Sequence, residues 1–111
     1  MDNREKLLGL IGLATKAGKT VSGEFSTEKA VKNGKARLVM VSEEASANTK
    51  KMFADMCTYY KVPICYFGNK SELGRAMGKE MRASLAVVDA GFAGAVVKQM
   101  KLIGGSEYES K

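Results

Sequence analysis

The residues best suited to chemistry stand in the run Gly78-Lys79-Glu80-Met81-Arg82-Ala83-Ser84, which sets two cations, a carboxylate and a methionine side by side in a polar connector. A carboxylate and a guanidinium can hydrogen-bond to base edges, and an apolar side chain can lie against the face of an unstacked base. Met81 has a second reading, in which it turns into the core, and the sequence leaves both open. A second cluster lies between Lys16 and Arg37, where Lys16, Lys19, Lys29, Lys32, Lys35 and Arg37 face only Glu24 and Glu28. Lys29 and Lys32, three apart, share one face of a helix. The turn Gly23, followed by Glu24, Phe25 and Ser26, opens that helix, so unpaired backbone N–H groups and the positive dipole end would suit phosphate oxygens there. Glycine at 23 allows close approach of a ribose-phosphate backbone; a plain turn before a helix explains it equally well.

Other chemistry is missing. The chain contains no histidine, which removes the usual general base, the usual zinc ligand and the serine or cysteine triads together. Glu43-Glu44, the adjacent carboxylate pair, opens a surface turn and is not expected to act on one reacting atom. Ala17-Gly18-Lys19-Thr20 resembles the end of a phosphate-binding loop, but Leu13 occupies the position that needs glycine and a helix, not a strand, precedes it. Gly18 therefore reads as a helix C-terminal glycine. Asn69-Lys70-Ser71 has the form of a glycosylation acceptor, without consequence in a cytoplasmic chain. Cys57 and Cys65 have neither metal nor redox spacing and are expected to be buried thiols. No enzyme activity, cofactor, metal or small-molecule substrate is expected.

At 111 residues and 11.9 kDa the chain suits one domain, taken as residues 1–103 with a flexible C-terminal tail over 104–111. The formal charge of +6 and a pI near 9.4 favour a polyanionic partner. The sequence has no apolar run of membrane-spanning length and no secretory leader pattern, so a cytoplasmic protein without membrane contact is expected.

These residues need elements to hold them. Leu7, Leu8, Leu10, Ile11, Ala14 and Ala17 repeat with helical spacing. Thr20-Val21 is extended, and a second helix carrying Phe25, Lys29, Ala30, Val31 and Lys32 ends at Asn33-Gly34. Arg37 to Ser42 reads as a central strand covered on both faces. A third helix, opened by Ser46 or Asn48, buries Met52, Phe53, Met56, Cys57 and Tyr60 and stops before Pro63. Ile64 to Phe67 is a strand, Ser71 caps a fourth helix, Leu85 to Asp89 is a further strand, and a fifth helix buries Phe92, Ala93, Val96, Val97, Met100 and Ile103. Strands alternating with helices predict an α/β fold, a single-domain three-layer α/β/α sandwich with a mixed, mostly parallel sheet of about four strands.

Ser22-Gly23, Lys29-Ala30-Val31, Gly34, the block Ala36 to Ala45, Val62-Pro63 and the block Lys70 to Gly78 occur in one order. In these the chain resembles the kink-turn RNA-binding ribosomal protein family that includes archaeal L-seven-Ae and eukaryotic L-thirty-e, over about residues 7 to 98. Gly12-Leu13-Ala14 and Asp89 to Ala93 make it similar to the short bacterial paralogues. The resemblance implies a non-catalytic, ribosome-associated RNA-binding protein, a monomer whose partner is structured RNA, ribosomal RNA foremost. It assigns Gly23 to the RNA backbone, Lys29, with Lys32 beside it, to phosphates, and Glu80, Met81 and Arg82 to the nucleotide protruding from the kink. Where RNA-binding members carry Asn-Glu to read paired G·A bases, this chain has Phe25-Ser26, with Glu24 beside them. The alternative function is a protein-interaction scaffold on the same fold, with Phe25 and Met81 as its apolar contact.

Overall fold

A computed structural model of the chain describes residues 2–104 and 108–109. Helix α1, Asn3–Lys16, starts at Asp2 in a capping box with Glu5, and its chain turns away at Gly18, whose φ of +74° suits glycine. β1, Thr20–Ser22, leads through Gly23 into α2, Glu24–Lys32, followed by β2, Leu38–Val41. α3, Ala47–Tyr60, is capped by Ser46, whose side chain accepts from the Thr49 N–H. Then come β3, Ile64–Tyr66, α4, Lys70–Ala76, β4, Ser84–Val87, and α5, Ala90–Ile103.

The sheet has the order β1-β4-β2-β3, with the two-residue β5, Tyr108–Glu109, paired antiparallel to β3 at its edge. β1, β2 and β3 run in one direction and β4 opposes them, so the sheet is mixed. Because β4 is inserted between β1 and β2, the β2–β3 pair is the parallel one, while β1–β4 and β2–β4 are antiparallel. The cause is the short α4: the chain leaves β3 and starts β4 at the same end of the sheet, Val41 pairing with both Tyr66 and Ser84.

All four residues of β2 are buried, as an internal strand covered on both faces requires. Its side chains alternate between two cores. Leu38 and Met40 join Leu7 and Ile11 of α1, Leu73 and Met77 from α4 and its end, and Val96 and Met100 of α5. Val39 and Val41 join Ala30 and Val31 of α2 and Phe53 and Cys57 of α3. This is the three-layer sandwich expected from the sequence.

Three local expectations are corrected. Asn69, not Ser71, caps α4, because Glu72 lies three residues after Asn69 and completes a capping box in which each side chain meets the other's backbone N–H. Asp89 does not extend β4; its carboxylate accepts from the Phe92 N–H and caps α5. Tyr60 is 40% exposed and stays out of the core, its ring packed edge-on against Tyr59. Of the expected tail over 104–111, residues 105–107 and 110–111 lie outside the described residues.

Candidate nucleic-acid interface

Gly23 sits at φ +90°, ψ 159°, a conformation that a side chain resists, and nothing lies within 4 Å of where its Cβ would be. It is the N-cap of α2 without a side-chain capping bond, and the first backbone bond into the helix runs from the Thr27 N–H to the Gly23 carbonyl. The N–H groups of Glu24, Phe25 and Ser26 therefore precede the intrahelical ladder and point outward with the positive end of the dipole. Phe25 is 77% exposed on the same turn.

The 78–83 connector is fixed beside that helix end by three devices. Gly74 of α4 is buried against the connector: a Cβ there would overlap the Glu80 carbonyl oxygen and stand 3.1 Å from Met81 Cα. The Gly23 N–H donates to the Ser84 carbonyl at 2.9 Å, joining the turn before α2 to the start of β4. Arg82 Nε donates to Ser22 Oγ at 3.0 Å and its Nη1 to the Met81 carbonyl at 2.9 Å, while its backbone N–H donates to the Lys70 carbonyl. Arg82 thus bridges β1 and the connector with part of its donor set and keeps further N–H donors for a ligand. Met81 is 62% exposed, which settles its orientation away from the core.

Between these parts lies an open depression of about 440 Å³, lined by Thr15, Thr20, Val21, Ser22, Ser26, Met77, Lys79 and Arg82. The Thr15 and Thr20 hydroxyls lie 2.9 Å apart on its wall. Hydroxyls, two cations and open N–H groups give this surface the donors that suit phosphate and ribose oxygens, flanked by the exposed Phe25 and Met81. Phe25, Lys29 and Lys32 belong to a neighbouring groove of about 420 Å³ along α2, shared with Glu28 and Asn33. Lys29 is exposed and makes no ion pair among the described residues, whereas Lys32 donates to Glu28 Oε2 at 2.7 Å. That hydrogen bond, more than the charge, holds the Lys32 ammonium above its ordinary value.

Sequence reading missed Thr15, Thr20 and Ser22 as lining residues, since their hydroxyls meet only when α1, β1 and the connector pack together. The role of Gly74 was equally hidden. Glu43 and Glu44 are structural: Glu43 accepts from the Gly68 N–H and Glu44 from the Lys70 N–H, which holds the chain entering α4.

A model of the ribosomal protein L7Ae/L30e/S12e/Gadd45 family matches residues 5–97. The chain belongs to this family. Family members include the RNA-binding protein YlxQ of Bacillus subtilis, 47% identical over 88 residues that cover 79% of this chain and 88% of that protein. The large ribosomal subunit protein eL30 of Candida albicans is 36% identical over 95 residues, covering 80% of this chain and 86% of its own. A solved structure of a Bacillus halodurans protein of unknown function superposes with a TM-score of 0.84 at 41% identity, covering 86% of this chain and 97% of that one. YlxQ and eL30 carry names of an RNA-binding and a ribosomal protein, not of enzymes.

Proposed function

We propose that this family member is a non-catalytic protein that binds structured RNA. The observation that carries the reading is the single surface formed by the open N-terminus of α2 and the 78–83 connector, tied together by the Gly23–Ser84 and Arg82–Ser22 bonds. Gly23 and Ser26 offer the RNA backbone a close approach, Lys29 and Lys79 offer charge, and Phe25 and Met81 offer apolar faces to unstacked bases. Glu24 and Glu80, both exposed, provide acceptors for base amino groups. The finer form of the proposal is a kink-turn-like site in ribosomal RNA, met in the cytoplasm by a monomer; the likeness to eL30, a large ribosomal subunit protein, supports its ribosomal part.

The test is fluorescence-anisotropy titration of a kink-turn RNA across a salt series. Affinity should fall steeply with salt, by at least tenfold between about 50 and 200 mM, as phosphate neutralisation demands. Lys29→Ala combined with Arg82→Ala should weaken binding at least tenfold further. Salt-insensitive or absent binding defeats the proposal. The exposure of Phe25 gives the scaffold reading its support; that reading would prevail if a partner were retained after nuclease treatment, or if a concentration-dependent dimer were lost in Phe25→Ser.

A further inference from the structure

We infer that the exposed face of α2 and the tyrosine pair ending α3 form a track for a single unpaired RNA strand that leaves the main site at Gly23. This extension rests on the RNA-binding reading above and carries its footprint from Phe25 and Lys29 on to the tyrosine pair, which that reading does not use. The groove along α2 starts at Phe25, beside the main site, and continues past Lys29 and Lys32 to Asn33. From Phe25 to Asn33 the helix rises about 12 Å. Tyr60 ends α3 at the same end of the sheet as the end of α2, because β2 and β3 start side by side, the Val39 N–H donating to the Pro63 carbonyl at 2.9 Å.

Tyr60 and Tyr59 form an edge-to-face pair, centroids 4.9 Å apart and planes at 76°. Tyr59 is 78% exposed, so its ring lies open to solvent. Lys61 follows at once in the left-handed conformation, φ 59°, with its side chain exposed. A groove that carries the exposed Lys29 charge beside the Lys32–Glu28 ion pair and ends in open aromatic rings suits single-stranded nucleic acid, phosphates following the net positive charge and bases stacking on the rings. A protein partner is the less favoured occupant, because the groove between the aromatic ends is cationic and continuous with the RNA surface.

The experiment compares one kink-turn RNA in blunt form with versions carrying about six unpaired adenosines on one end or the other. One tailed RNA should bind about tenfold tighter than the blunt one, the scale of one base–aromatic stack. Tyr59→Ala should abolish that gain and leave blunt-RNA affinity unchanged, while Tyr59→Trp should keep the gain. Blunt binding with no gain from either tail overturns the extension alone. An equal loss for blunt and tailed RNA in Tyr59→Ala also overturns it. So does a shift in the protein's own monomer–dimer equilibrium, read by sedimentation, without any change in RNA affinity. Failure to bind any of these RNAs defeats the RNA-binding proposal and this extension together.

Discussion

Gly74 is a packing position that seats the 78–83 connector, because its missing side chain leaves the space in which the Glu80 carbonyl sits. Gly74→Ala pushes a Cβ against backbone, which cannot rotate aside as a flexible side chain can. We expect a loss of about 3 kcal/mol and a melting temperature lower by about 10 °C. An unchanged melt would show that the connector is not seated on this helix. Lys61 presents the opposite case: a side chain occupies a left-handed C-terminal position that glycine usually fills. Lys61→Gly should raise stability by about 1 kcal/mol in urea titration, and on the strand-track proposal it should weaken binding of the tailed RNA.

At the scale of elements, α1 and α4 are joined by Arg4, which donates to both carboxylate oxygens of Glu72 at 2.8 and 2.6 Å and lies 4.6 Å from the Phe67 ring centre. Glu72 also closes the capping box of α4 with Asn69. The Arg4 hydrogen bond first, and the Asn69 N–H second, hold the Glu72 carboxyl below its ordinary value, and the same contact raises Arg4. A depressed carboxyl stabilises the fold above the unfolded value near 4.3, and that stability is lost as pH falls through the folded value. The Arg4 side chain is 45% exposed, so solvent screening limits the pair to under about 1 kcal/mol. Glu72→Gln preserves the cap and should cost about 0.5 kcal/mol at pH 7 and less at pH 3. Urea unfolding at the two pH values checks this; an equal cost at both would remove the ion pair from the account.

For the whole molecule, two apolar cores share one sheet, since alternate residues of β2 enter opposite faces. Unfolding one layer strips the other, so the domain should open as a unit. Cys57 reports on this: burial pushes its thiol up to about 12, and it has no access to solvent. Its labelling by a disulfide reagent should proceed only at the rate of global unfolding. Faster labelling, with α3 opening separately, would contradict the single cooperative unit.

The same scale shows where the sequence was legible. The two faces of β2, the stop at Gly18 and the stripe of α5 all depend on residues within a turn or two, and periodicity displays them. Asn69 was readable too, through Glu72 three positions on, although Ser71 offered a competing cap. Tyr60 fell on the apolar stripe of α3, but the last turn of that helix runs past the layer it covers. By itself, then, the sequence determined the element order, the layered α/β class, the absence of histidine chemistry and the basic surface, because these follow from composition and local spacing. Tertiary structure alone decided that β4 inserts between β1 and β2, that Arg82 meets Ser22 across 60 residues, and that Gly74 seats the connector. Those outcomes depend on which distant segments bury each other's apolar faces, and local spacing carries no record of that choice.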